Sequence, residues 1–148
     1  MNLKEKISDN LNKAMKSGDK IRTSTLRSIR ALILEFEKSG QNREMNSEDE
    51  LKMLTTAAKK RKESIEQFRN GGRNELAEKE EAELKIIQEF LPAQLSEDEI
   101  FVKIKTIAKE IGAIDKSHFS LLMPKAVLAL KGQADGKVIK GIVEKVLS

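Results

Sequence analysis

The residue types that most often carry chemistry are scarce in this chain. His118 is the only histidine and cysteine is absent from all 148 residues. That excludes multi-histidine metal sites, thiolate nucleophiles, sulfur-ligated zinc, iron–sulfur clusters and disulfides together. Carboxylates are plentiful, but a general acid or base needs a second group to select it, and no spacing marks one out. Neither a phosphate-cradling nor a dinucleotide-binding glycine loop occurs, and there is no serine elbow. The expectation is no catalytic residue, no metal and no cofactor, with His118 serving a surface role near a helix start.

What remains is positive charge able to meet phosphate. The most informative segment is Lys131-Gly132-Gln133-Ala134-Asp135-Gly136-Lys137. One reading is purely structural: Gly132 ends a helix in a left-handed turn and Asp135 caps the next. The other is functional: a helix N-terminus flanked by Lys131, Lys137 and Lys140, with Gly132 and Gly136 permitting close approach, suits a phosphate. The densest basic cluster lies elsewhere, at Lys59, Lys60, Arg61 and Lys62, followed by Arg69 and Arg73. Successive helical residues point about 100° apart, so four in a row make no single flat patch, and a solvated face explains them equally well. Arg61 differs from its neighbours, because the steps Leu54, Ala58, Arg61, Ile65, Phe68 put it on an apolar stripe. Glu80 falls in phase with Ala77, Leu84, Ile87 and Leu91 in the same way. With the turn at Gly71-Gly72, antiparallel pairing brings Arg61 opposite roughly Glu80 to Glu83, which predicts a structural interhelical ion pair, Arg61 with Glu80, that serves specificity more than stability.

The elements that must position these groups are all helical. Apolar residues recur at three- and four-residue steps with no sustained alternation, and only two prolines and eight glycines interrupt them. The first helix carries Leu3, Ile7, Leu11, Ala14 and Met15 inward as far as Ser17-Gly18-Asp19. A second, from about Lys20 to Lys38, carries Ile21, Leu26, Ile29, Leu32, Ile33 and Phe36. Ser47 and Glu50 have the spacing of a capping box for a third helix, which runs to Asn70-Gly71-Gly72. The fourth spans about Asn74 to Phe90, with Leu76 and Ala77 inward, and stops because Pro92 disfavours helical geometry in the residue before it.

Ser96 and Glu99 form a second capping box and open a helix closed by Gly112. Two more helices are expected at Lys116 to Leu130, bent by Pro124, and at Asp135 to Leu147. The fold class is therefore all-α: a larger N-terminal module of helical hairpins over residues 1–92, then a small three-helix C-terminal module over residues 93–148. The five phenylalanines fall mostly in phase with aliphatic residues and read as core. Any nucleic-acid recognition should then work through phosphates and shape.

Charge is dense but nearly balanced, 28 basic against 24 acidic residues, with a sequence pI of about 9.2. The longest apolar run is Ala126 to Leu130, too short for a membrane span or a signal peptide. With no cysteine, a reducing, cytoplasmic setting is expected.

Phe90-Leu91-Pro92-Ala93-Gln94-Leu95-Ser96, followed far downstream by Lys131-Gly132-Gln133-Ala134-Asp135-Gly136, resembles the YqeY family. The likeness extends to Leu26-Arg27-Ser28-Ile29-Arg30-Ala31 and to the ten residues Lys59 to Phe68, and so covers essentially the whole chain. One departure is that Met123-Pro124-Lys125 stands about a turn earlier, relative to Lys131-Gly132, than the family pattern. That family is similar to the tail of the B subunit of the tRNA-dependent amidotransferase. The resemblance implies an all-helical fold in two parts and a tail that contacts tRNA. Amide formation and ATP use belong to another part of that subunit, and glutamine hydrolysis to another subunit.

Three functions are then expected, in order. The first is a non-catalytic tRNA-binding module, with Lys131, Lys137 and Lys140 as main contacts and Lys59, Lys60, Lys62, Arg69 and Arg73 as supplementary ones. The second is a protein-interaction module docking on an amidotransferase or an aminoacyl-tRNA synthetase. The third is a carbon–nitrogen ligase activity with glutamine as amide donor, as the family resemblance implies by inheritance from the larger enzyme.

Overall fold

The computed structural model describes residues 1–40 and 43–148. Among these residues the secondary structure is seven α-helices and one 3-10 turn, with no strand. The helices are α1 (Leu3–Ser17), α2 (Lys20–Lys38), α3 (Ser47–Asn70), α4 (Asn74–Gln88), α5 (Glu97–Ile111), α6 (Phe119–Ala129) and α7 (Gly136–Leu147), and the 3-10 turn is Lys116–His118. Packing divides the chain into two compact units, Met1–Leu91 and Pro92–Ser148.

In the first unit α1 packs on α2, while α2 and α3 each pack on α4. The stripe Leu3, Ile7, Leu11 and Ala14 meets Leu26, Ile29 and Ile33, joined by Leu54, Ala58 and Ile87. Met15, Ile21 and Leu76, expected inside, are instead 46%, 41% and 40% exposed. Met15 and Ile21 sit one residue out of phase with the stripes of their helices, whereas Leu76 shares the face of Ile87 but lies in the first turn of α4. In α2 the position in phase is Arg22, half-buried, whose guanidinium holds Glu89 at 2.7 and 3.1 Å and the Asn10 side chain at 2.9 Å.

The cap of α3 lies one residue before the expected Ser47. Asn46 accepts from the Asp49 amide at 2.9 Å, and Asp49 accepts from the Asn46 amide at 3.0 Å. Asparagine caps as well as serine, and Arg43 binds the Asp49 carboxylate at 3.0 Å, which holds the box in this register. The same contact, with the Asn46 amide, pulls the Asp49 carboxyl from its ordinary 3.8 to about 2. At its other end, α4 stops at Gln88 rather than Phe90. The Phe90 and Leu91 amides bond three residues back, to Ile87 and Gln88, in a tightened last turn before Pro92.

In the second unit Ile100, Ile104 and Ala108 of α5 close on Leu122 and Ala126 of α6 and on Ile139, Ile142, Val143 and Leu147 of α7. Ser96 and Glu99 make the reciprocal capping box at 3.2 Å in both directions. The helix expected from Lys116 instead begins at Phe119. Asp115 caps a 3-10 turn first, accepting from the Ser117 amide at 2.9 Å. This later start brings Pro124 within about a turn and a half of the helix's beginning, still past the first turn, so its missing amide removes one bond of the ladder. None of the five phenylalanines is fully buried, and Phe101 is 36% exposed.

Candidate functional site

The two motifs that stand 38 residues apart in the chain meet in the second unit. Gln94 donates from Nε2 to the Gly132 carbonyl at 2.7 Å and to the Pro92 carbonyl at 2.9 Å. The Leu95 amide donates to the Gln133 carbonyl at 3.0 Å. Gly132 itself is buried and left-handed, with φ +77°, a conformation that favours glycine. The segment entering α5 is thus laced to the loop entering α7 by a side chain and a backbone bond. Periodicity carries no trace of such a contact, which is why Gln94 escaped sequence reasoning despite lying in a motif.

Asp135 caps α7 by accepting from the Lys137 amide at 3.0 Å. Its carboxylate therefore occupies part of the amide cluster that an incoming phosphate would seek, and brings negative charge to the spot. Lys131, Lys137 and Lys140 are all exposed around that helix start. Gly136, the first residue of α7, has open space where a side chain would stand. At this loop, then, lysine side chains face solvent, while Gly132 turns the chain and offers its carbonyl inward.

The second basic group lies in the first unit. Lys59 and Lys60 are exposed on α3, and Lys62 is half-buried and engaged. Arg69 is paired with Glu81 of α4, and Arg73 is exposed just before α4. Arg61 points across to α4. It donates from Nη1 to Glu80 at 3.1 Å and pairs with Glu83 as well. Glu83 is the deeper partner, its side chain only 6% exposed against 21% for Glu80. Phase alone selects Glu80, while the antiparallel register across Gly71-Gly72 reaches from Glu80 to Glu83, and Arg61 pairs at both ends of that range.

His118 is tied to its own turn. Its Nδ1 accepts from the Ile114 amide at 3.3 Å and lies 3.4 Å from Asp115. The Asp115 carboxyl is held below its usual range chiefly by the Ser117 hydroxyl and amide, with His118 adding to them. No helix of the described residues is long and apolar enough to cross a membrane.

Comparison with known proteins places this architecture. A family model described as Yqey-like protein matches residues 4–147. An uncharacterized protein of Schizosaccharomyces pombe is 38% identical over 95 residues, 64% of this chain and 76% of the relative. Altered inheritance of mitochondria protein 41, mitochondrial, of Lachancea thermotolerans is 33% identical over 108 residues, 71% of this chain but 57% of that protein. Its namesake from Pyrenophora tritici-repentis is 28% identical over 96% of this chain and 79% of its own length. The family match takes in both laced motifs and every helix but the first residue of α1, and the chain belongs to the YqeY family.

Proposed function

We propose that this chain is a tRNA-binding accessory module that works beside an aminoacyl-tRNA or amidating enzyme and does no chemistry itself. The observation that carries the reading is the end of the second unit where Lys131, Lys137 and Lys140 stand exposed around the start of α7. The loop beneath them is held by Gln94 and Leu95. Ammonium groups on a fixed loop can track a phosphate backbone. The resemblance of the YqeY family to the amidotransferase tail supports tRNA as the nucleic acid. Lys59, Lys60, Lys62 and Arg73 add contacts from the first unit. Arg69 adds less, since Glu81 already binds it. A reducing, cytoplasmic setting fits the absence of cysteine. The word mitochondrial belongs to the names of the fungal relatives.

The test is binding of purified protein to total tRNA across a salt series, beside a Lys131→Glu/Lys137→Glu variant whose helicity is checked. Affinity should fall steeply with salt, and the variant should lose affinity and show a shallower log–log slope, by roughly 0.7 to 0.9 per phosphate contact removed. No binding at low salt, or equal binding by the variant, sinks the assignment.

A second reading has its own observation. In the second unit α6 exposes Leu121 (57%) and Leu128 (73%), two turns apart on one face with Pro124 between them. Such a face suits a protein partner, and binding through it would survive moderate salt. A glutamine-dependent carbon–nitrogen ligase activity is the third reading, and ammonia release from glutamine by the purified chain, above a purification blank, would promote it.

A further inference from the structure

In the first unit, α2 and α3 each pack on α4 but hardly on one another, and this leaves a cleft between them of about 610 Å³. That volume lies within the range of small-molecule sites, roughly 300 to 1,000 Å³. Ile87 of α4, 1% exposed, closes the floor. The walls are apolar and only half-buried: Leu32 and Phe36 one turn apart on α2, Met53 and Ala57 one turn apart on α3. A fully packed four-helix core would cover these four side chains, and here they face an open cleft.

Charge around the mouth is one-sided. The cations lining the cleft are Arg43, Lys52, Lys60 and Arg61, and the one acid is Asp49. Arg43 is committed at one end: it binds Asp49 at 3.0 Å and lies over the Phe36 ring at 5.3 Å. Arg61 is committed to Glu80 and Glu83. Lys52 lies near enough to Asp49 to help depress its carboxyl, but forms no salt bridge among the described residues, and neither does Lys60. Lys52, Thr56 and Lys60 follow at four-residue steps, so they form one ridge along α3 with a hydroxyl between two ammonium groups.

We infer that this cleft binds a small amphipathic carboxylate, its acyl or aryl body on Leu32, Phe36, Met53 and Ala57 and its head on the Lys52-Thr56-Lys60 ridge. The inference does not need the tRNA reading, which rests chiefly on the other unit and shares only Lys60 with this cleft. An apolar floor alone would take a neutral molecule as readily. The two lysines left without salt bridges on the rim are what select an anion.

The experiment is a titration of the full chain with decanoate, followed through methyl resonances of Leu32, Met53, Ala57 and Ile87, with 1-decanol as the neutral control. Decanoate should saturate and shift those methyls, and decanol should bind at least tenfold more weakly. Lys52→Glu/Lys60→Glu should weaken decanoate at least tenfold, and Thr56→Trp, at an exposed position, should fill the cleft and abolish the shifts while helicity persists. The proposal is overturned if decanoate gives no saturable shift at these methyls, if decanol matches it, or if both variants bind as the native chain does.

Discussion

Replacing Arg61 by methionine tests the pairing between α3 and α4 at its most sensitive point. The aliphatic stem is kept, so packing changes little, while Glu83 loses the guanidinium that faces it at 6% side-chain exposure. Glu80, at 21%, can recruit water and should contribute little. A buried carboxylate left without a partner either stays charged at high cost or takes up a proton. Protonation at pH 7 of a group with an ordinary value near 4.3 costs about 3.7 kcal/mol, at about 1.36 kcal/mol per pH unit. That sets a ceiling on the loss, and it agrees with the 3 to 5 kcal/mol found on breaking buried pairs. The sign of the pH dependence is distinctive. In the variant the folded-state carboxyl is raised above its unfolded value, so stability is fully present at low pH and is lost as pH rises. Arg61→Met should therefore regain stability between pH 7 and pH 5.5, by at most about 2 kcal/mol at about 1.36 kcal/mol per pH unit. Native-state hydrogen exchange of α3 and α4 amides, expressed as opening free energies, reads this directly, and α5 to α7 serve as the internal control. Arg61→Met/Glu83→Leu should return to within about 1 kcal/mol of the native chain, since apolar pairs commonly replace buried ion pairs without loss. A single-variant loss below about 1 kcal/mol, an equal loss at both pH values, or a double variant no better than the single would refute the account.

Gln94→Ala should destabilise the second unit by about 1 to 3 kcal/mol, because the buried Gly132 carbonyl loses its donor. Gln94→Glu should cost more, since it sets an acceptor against two carbonyls. Exchange protection of α5 to α7 amides ranks the two, and the reverse order would exclude the lacing as its cause. Asp49, depressed to about 2 from 3.8, contributes stability that is fully present above its unfolded value and is lost as pH falls from about 4 towards 2. The start of α3 should fray in that window. A carboxyl titration of Asp49 by NMR with a midpoint near 4 would show that Arg43 does not hold it in solution.

The helices were legible because each buries one stripe, and a stripe of period near 3.6 is written directly in residue spacing. Their ends were less so, for a specific reason in each case. Asn46 and Ser47 are both good caps, and the choice between them is made by Arg43, which binds Asp49. The 3-10 turn at Lys116–His118 depends on Asp115 accepting from Ser117, a bond no apolar period reports. Met15 and Ile21 show the limit from the other side: an apolar residue beside a stripe looks much like one on it, and only neighbouring helices decide.

The candidate sites divide along the same line. Exposed lysines beside a capped helix start follow from local chemistry, so Lys131, Lys137 and Lys140 could be named from their spacing. The lacing of Gln94 to Gly132 and the burial of Glu83 arise from chain segments brought together by folding, and spacing within one helix is blind to both. The cleft between α2 and α3 is further still from the sequence, because it depends on two helices leaning on a third without closing on each other. Its ridge was nevertheless half visible. Lys60 and Arg61 are consecutive in the basic run, yet one stands exposed on the rim while the other reaches α4, as a 100° step requires. A run of four basic residues on a helix is therefore better read as separate charges aimed at different neighbours. On α3 the neighbours are solvent, the cleft and the carboxylates of α4, and only the first two leave a cation available to a ligand.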